Sequence, residues 1–174
     1  MIDLEHKEKW KYIPGFSNYQ ISSVGRIYNH KEDLIMSTSP NNYGNMKISL
    51  VADDGVRRTR SIAHMVAKAF VVPPTGFCTQ VVLLDGNLNN VTADNIVWRP
   101  EWFAWKYARQ MRRQQPNHYY NLRVTNLLTQ VEYESIFEAG KIEGLLFSDI
   151  WRSTYTGAEI FPYNQIFVVS GENV

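Results

Sequence analysis

Histidine and cysteine side chains supply many of the general bases, nucleophiles and transition-metal ligands of proteins, and this sequence offers few of either. Its four histidines include no pair with the spacing of metal ligands. The single cysteine, Cys78, excludes an internal disulfide and a zinc site of several cysteines, as expected in a reducing cytoplasm. We therefore expect no metal and no cofactor.

Clustered cations offer a second chemistry, the binding of phosphate groups. Arg57, Arg58 and Arg60 surround one predicted strand. They are either an exposed strand edge that charge keeps soluble or a clamp on a nucleic-acid backbone, and the sequence favours neither interpretation.

A further basic cluster lies in the last turns of a predicted helix, where cations also complement the helix dipole. It consists of Lys106, Arg109, Arg112 and Arg113. The helical period places residues 106, 109 and 113 on one side. The preceding aromatic residues, Trp98, Trp102 and Trp105, are expected to lie in the core rather than to stack on bases.

Polarity patterns and turn residues predict the elements that must position these side chains. Strands are predicted at 19–22, 25–28, 45–51, 57–60, 80–84, 96–98, 122–128 and 165–169. Helices are predicted after the capping residue Ser61, from Pro100 to about Gln115, from Ser135 to Ile142 and from Ser148 onward. The mixture indicates an α+β protein.

Composition bounds the class of partner without identifying it. The 174 residues are 44% hydrophobic, and 18 Lys and Arg against 17 Asp and Glu give a formal charge of +1. The whole-molecule field is therefore weak, so any polyanion would have to be held by local clusters. The first twenty residues contain no apolar signal segment, and we expect a cytoplasmic monomer without membrane contacts.

The N-terminal residues carry a family pattern. Residues 10–29 read W-K-x-I-x-G-F, then Y-x-I-S and G-x-I-x-N. This resembles the N-terminal module of phage HNH homing endonucleases. The segments from His64 to Phe70, Asp85 to Asn90 and Asp94 to Trp98 are similar to the helix and loop of the HNH unit in that family. Residues 134–167 resemble its helix-turn-helix repeat.

The resemblance covers nearly the whole chain and implies an order of modules. A small antiparallel-sheet N-terminal module precedes a degenerate ββα-metal (HNH) unit, a basic helix end with a linker, and a helix-turn-helix module. The segments implied are 1–54, 55–104, 105–121 and 122–174. In the family, the region of the second basic cluster continues as a strap along the duplex, which favours phosphate binding by that cluster.

The same resemblance implies that the catalytic residues are missing. In the family a histidine just before D-G-N activates water, while a neighbouring aspartate and a later asparagine hold one divalent cation. These positions fall on Val82, Leu83 and Ala104, whose side chains neither accept a proton nor coordinate a hard cation. His64 could be a displaced base, but its helix position favours a packed, hydrogen-bonded role.

The C-terminal module aligns its second helix with the family's recognition helix, which would offer Ser148 and Arg152 to a groove. Asp149 would repel phosphates, and Trp151 and Tyr155 make this helix more aromatic than a typical reader of the major groove.

We therefore predict an inactive HNH homologue, of phage origin by its resemblance, that binds duplex DNA in the host bacterial cytoplasm. Structured RNA such as ribosomal RNA, a host protein partner, and an active nuclease with displaced residues are the alternatives.

Overall fold

A computed structural model describes residues 8–74, 76–112 and 118–171, with the backbone alone at residues 118 and 119. Its strands are β1 Trp10–Ile13, β2 Phe16–Ser22, β3 Ile27–Asn29, β4 Leu34–Ile35, β5 Ser39–Pro40, β6 Met46–Val51, β7 Arg57–Ser61, β8 Gln80–Leu83, β9 Ile96–Arg99, β10 Val124–Asn126, β11 Val131–Tyr133 and β12 Phe167–Val169. Its α-helices are α1 Ile62–Phe70, α2 Glu101–Arg112, α3 Ile136–Glu143 and α4 Phe147–Thr156. Short 3-10 turns lie at Ala93–Asn95 and His118–Asn121.

The described residues form two compact units. The N-terminal unit consists of residues 8–73 and 87–98, and the C-terminal unit consists of residues 74, 76–86, 99–112 and 118–171. Strands and helices occur in both, and the sheets with three or more strands are antiparallel. The predicted α+β class is confirmed.

The N-terminal unit contains a four-stranded sheet in the order β1-β2-β3-β4 and a three-stranded sheet in the order β5-β6-β7. The predicted hairpin at residues 45–60 is β6 and β7, joined by a turn in which Gly55 has φ of +80°. That left-handed conformation suits glycine because it has no Cβ. Helix α1 begins after Ser61, whose hydroxyl accepts a hydrogen bond from the backbone N–H of His64, as predicted for a cap.

The C-terminal unit combines the sheet β11-β10-β12 with α2, α3 and α4. Between α3 and α4 lies a three-residue turn, in which Gly144 takes φ of +62° and ends α3. The predicted helix-turn-helix is therefore present. Its core comprises the buried residues Val124, Tyr133, Ile136, Ala139, Leu145, Phe147, Ile150, Ile160 and Phe167.

Two strand predictions need correction. The strand predicted at 122–128 is shorter, because the side chain of Asn126 accepts a hydrogen bond from the N–H of Leu128 and turns the chain. The strands β1, β4, β5 and β11 were not predicted. Each is only two to four residues long, so its pairing with a neighbouring strand decides its conformation more than its own pattern does.

Candidate nucleic-acid interface

The three positions where the family resemblance places nuclease residues lie in the C-terminal unit. Val82 and Leu83 end β8, and Ala104 lies in α2. Helix α2 is fixed to this segment by Tyr107, whose hydroxyl donates a hydrogen bond of 2.8 Å to the carbonyl oxygen of Leu84. Burial raises the pKa of Tyr107, so that hydroxyl keeps its proton.

These three side chains are aliphatic, with Val82 buried and the other two half-buried. They offer neither an imidazole nor an oxygen donor, so they do not fit the divalent cation of the HNH family. Across residues 8–74, 76–112 and 118–171, no three His, Cys, Asp or Glu side chains are close enough to share a metal ion.

The asparagines that follow in the sequence shape a loop of the N-terminal unit. The side-chain amide of Asn95 donates to the carbonyl oxygen of Asn90 at 2.7 Å. The side-chain oxygens of Asn87 and Asn90 accept bonds from the N–H of Asn89 and the hydroxyl of Thr92, both at 3.1 Å. The asparagine side chains thus stabilise the conformation of this loop through hydrogen bonds, which is a structural role.

His64 lies in α1 and packs edge-on against Trp98, with 5.9 Å between the ring centroids. Trp98 is buried and donates its indole N–H to the carbonyl oxygen of Val71 at 2.8 Å. A half-buried imidazole packed on the tryptophan that anchors the end of α1 fits the predicted structural role of His64.

The outer side of α2 presents a stripe of cations and indole rings. We call Trp102, Trp105, Lys106, Arg109 and Arg112 the α2 stripe. All five are exposed, and their spacing of three and four residues places them on neighbouring positions of one helix face. The ammonium of Lys106 lies 5.3 Å from the ring centroid of Trp102, and the guanidinium of Arg109 lies 5.7 Å from that of Trp105.

The structure corrects the predicted position of two of these rings. Trp98 is buried, as predicted, but Trp102 is 53% exposed and Trp105 is 66% exposed. The buried side of α2 carries Phe103 and Tyr107 instead. Both aromatic pairs have helical spacing, so the sequence alone did not show which pair faced the core.

Two of the three β7 arginines have intramolecular partners. Arg58 donates to both carboxylate oxygens of Asp54, at 2.9 and 2.5 Å, and this pairing lowers the pKa of the Asp54 carboxyl. The guanidinium of Arg60 lies 5.6 Å from the ring centroid of Phe16. Arg57 is exposed, and no hydrogen bond or ion pair joins its guanidinium to another described residue. Arg57 is therefore the β7 cation best able to contact a phosphate.

Helix α2 is joined tightly to the helix-turn-helix. The side chain of Gln110 donates to the carbonyl oxygen of Leu145 at 3.1 Å and accepts from the N–H of Phe147 at 2.9 Å. It thereby satisfies a carbonyl of the turn and a free N–H in the first turn of α4. The α2 stripe and α4 consequently lie on one well-connected unit.

Residues Ser148 and Arg152 are both exposed on α4, one helical turn apart. A carboxylate oxygen of Asp149 lies 3.7 Å from the Arg152 guanidinium and offsets part of its charge. Tyr155 is 65% exposed and packs edge-on against Trp151. The described surface of α4 is thus more aromatic than cationic.

The remaining predicted contact, Arg113, lies outside the described residues. Sequence reasoning also missed Gln110 and Arg99, whose partners are backbone atoms distant in sequence. The repeated spacing of an indole and a cation four residues later, at 102 and 106 and again at 105 and 109, was the available signal for the exposed rings.

Comparisons with known proteins show which class of protein this chain resembles. Residues 8–58 match the NUMOD4 motif. Ninety residues are 33% identical to an HNH endonuclease, and they make up 52% of this chain and 26% of that protein. These two matches confirm the predicted resemblance to HNH homing endonucleases.

This relative is an uncharacterised HNH endonuclease of Acanthamoeba polyphaga mimivirus, and the chain matches about a quarter of its length. A solved structure of DNA binding and cleavage by the HNH homing endonuclease I-HmuI is 22% identical and has a TM-score of 0.49. That alignment covers 95% of this chain and 99% of the other. Among the described residues, no helix is long and apolar enough to span a membrane.

Proposed function

We propose that this protein binds nucleic acid, with duplex DNA as its ligand, and does not cleave it. The observation that carries the proposal is the aliphatic chemistry of Val82, Leu83 and Ala104 in a chain that is 33% identical to an HNH endonuclease over 90 residues. Hydrolysis of a phosphodiester needs a group that takes a proton from water and a cation that stabilises charge on the phosphate. None of these three side chains supports either step.

Binding to DNA requires only cations that can reach phosphates, and these are present. Helix α2 carries three cations, Lys106, Arg109 and Arg112, against the single acid Glu101. Arg57 adds an exposed cation in the N-terminal unit. Phosphate contacts of this kind position a protein on nucleic acid without reading its sequence, so the affinity should fall steeply with salt.

The proposal also includes contacts from Arg58, Arg60, Arg113, Ser148 and Arg152, and action as a monomer in the cytoplasm. A phage origin is proposed from the family resemblance alone. The division at residues 1–54, 55–104, 105–121 and 122–174 likewise stays a prediction.

Cleavage and binding can be tested on one preparation. Supercoiled plasmid is incubated with the purified protein in Mg²⁺, in Mn²⁺ and in chelator, and a labelled duplex is titrated over a range of salt concentrations. We expect retention of the duplex without nicked plasmid. Nicking that requires the metal would overturn the proposal, and its loss in His64→Ala would identify that histidine as a displaced base.

The titration also separates the alternative partners. A structured RNA of equal length is compared with the duplex at the same salt concentrations. Tighter binding of the RNA would replace DNA by RNA as the ligand. Retention of neither would overturn nucleic-acid binding and leave a protein partner, which the exposed Tyr155 and the half-buried Trp151 of α4 could contact.

A further inference from the structure

The exposed indole rings of α2 are unusual for tryptophan side chains, which are large and usually well buried. Trp102 and Trp105 are 53% and 66% exposed, while Phe103 and Tyr107 fill the buried side of the same helix. The described packing of the C-terminal unit therefore leaves a large part of each indole surface open to a ligand.

Each exposed ring has a cation one helical turn later, with the Lys106 ammonium lying over the ring of Trp102 and the Arg109 guanidinium over the ring of Trp105. A nucleotide combines a flat base with an anionic phosphate, so one ring and one cation match its two parts. The Arg109 guanidinium, which lies over the ring of Trp105, is itself planar and can stack on a base.

The chemistry of the stripe favours a nucleic acid over an apolar protein surface. No Leu, Ile, Val or Met lies among the exposed residues of α2. Arg112 adds a third cation to the two that accompany the rings, and it is exposed. A partner that matches flat rings and several cations must itself present flat, unsaturated groups along an anionic chain.

We propose that the α2 stripe binds unpaired nucleotides, with Trp102 and Trp105 stacking on bases and Lys106, Arg109 and Arg112 contacting phosphates. This inference rests on the proposed function, because it specifies the form of nucleic acid that the protein prefers. Inside an intact duplex each base face is covered by its neighbours. Indole stacking therefore favours a single strand, a bulge or a locally opened duplex.

The stripe is held in a fixed position, which reduces the entropy lost on binding. Tyr107 and Gln110 tie the buried side of α2 to Leu84, Leu145 and Phe147. The rings thus project from a helix whose backbone has firm contacts within the C-terminal unit.

Three labelled probes test the inference: a short oligothymidine, a blunt duplex of mixed sequence, and the same duplex with a bulge of unpaired thymidines. We expect the wild-type protein to bind the bulged duplex more tightly than the blunt one. Trp102→Ala and Trp105→Ala should each weaken binding of the oligothymidine by at least about fivefold, since stacking contributes strongly for every base.

Two further measurements separate stacking from charge and from misfolding. Binding of oligothymidine should quench tryptophan fluorescence, and the quenching should shrink in the Trp105→Ala variant. The conservative variant Trp105→Phe should retain part of the affinity because phenylalanine keeps a ring. Tyr43→Ala removes another exposed aromatic ring, in the N-terminal unit, and should leave oligothymidine binding unchanged.

The outcomes distinguish this inference from the proposed function. If the wild-type protein retains the blunt duplex but neither prefers the bulge nor loses affinity in Trp102→Ala and Trp105→Ala, only the stacking proposal is overturned. If it retains none of the three probes, both proposals are overturned. If an alanine variant shows an altered circular dichroism spectrum, the phenylalanine variant at the same position is tested in its place. Complete loss of affinity in that phenylalanine variant would contradict stacking.

Discussion

The guanidinium of Arg99 lies at the C-terminal end of α3 and donates hydrogen bonds to the carbonyl oxygen of Gly144, at 3.2 Å from Nε and 3.0 Å from Nη2. Nη2 also donates to the carbonyl oxygen of Glu143 at 3.1 Å. These are carbonyls that a helix end leaves without partners inside the helix, and a cation there also complements the helix dipole. The buried Arg99 side chain therefore satisfies carbonyl oxygens at the end of α3 and at the turn between α3 and α4.

Replacing Arg99 by methionine should destabilise the protein. The substitution keeps an apolar stem but leaves buried carbonyl oxygens unpaired, for an expected loss of about 3 kcal/mol in the free energy of unfolding. Urea unfolding followed by circular dichroism measures the change. Arg123→Met is the matched control, because Arg123 is exposed and its pairs with Glu132 and Glu134 should contribute less than about 1 kcal/mol.

The packing of α3 on α4 can be tested by a substitution at Gly140. A Cβ at this position would lie 2.4 Å from Cδ1 of Phe147, which is too close for a real contact. Alanine usually stabilises a helix relative to glycine, but here Gly140→Ala should cost about 1–3 kcal/mol. Thermal unfolding is measured for Gly140→Ala and for the double variant Gly140→Ala with Phe147→Leu. The comparison tests whether the Phe147 ring causes the loss of stability. Stability that is unchanged or raised in the single variant would contradict the close contact.

If Arg58 contacts nucleic acid, the Asp54 carboxylate should compete with phosphates for its guanidinium. Its pKa is lowered by the hydrogen bonds from Arg58, so it stays ionised at neutral pH and holds the guanidinium. Asp54→Asn should free Arg58 and make the slope of log affinity against log salt steeper by up to about 0.9 if Arg58 then reaches a phosphate. Asp33→Asn removes the same charge from a residue paired with Tyr28. Equal slopes in both variants would indicate an effect of net charge alone.

The contribution of the Asp54–Arg58 pair to stability should depend on pH in a known direction. Because the folded pKa of Asp54 is depressed, its contribution to stability is present above the unfolded pKa and is lost as the pH falls through the folded pKa. Protonation of Asp54 should release Arg58, so the stability difference between the wild-type protein and Asp54→Asn should shrink on acidification toward that range. Urea unfolding of both proteins at several pH values measures this difference, and a difference that does not change with pH would argue against the carboxylate as its source.

The cations of the α2 stripe should set the salt dependence of binding. Lys106→Gln, Arg109→Gln and Arg112→Gln should each make the slope shallower by about 0.9 if the residue contacts a phosphate of duplex DNA. The slopes are obtained by titrating a labelled duplex at several salt concentrations. Arg123→Gln removes a cation that is paired with Glu134 at 2.7 Å and should change the slope less. Unchanged slopes in all three stripe variants would exclude α2 as the phosphate contact.

Local signals in the sequence were sufficient for most helices and hairpins. Ser61 as a helix cap, the Asp-Gly turn before β7 and the Gly144 turn between α3 and α4 all function as predicted. Each of these signals acts through hydrogen bonds or backbone angles within a few residues, which is why the sequence reveals it. The aliphatic residues at 82, 83 and 104 were likewise evident from the sequence, because their chemistry does not depend on the fold.

Only the tertiary structure decided which side of α2 faces solvent and which cations are free. Trp102 and Phe103 are neighbours in sequence, yet one is exposed and the other is buried, since the side of the helix that packs depends on distant residues such as Leu84 and Leu145. The same holds for Arg99, whose partners Gly144 and Glu143 lie 45 and 44 residues further along the chain. Residue types therefore determined what chemistry was possible, while long-range packing determined which side chains could offer it to a ligand.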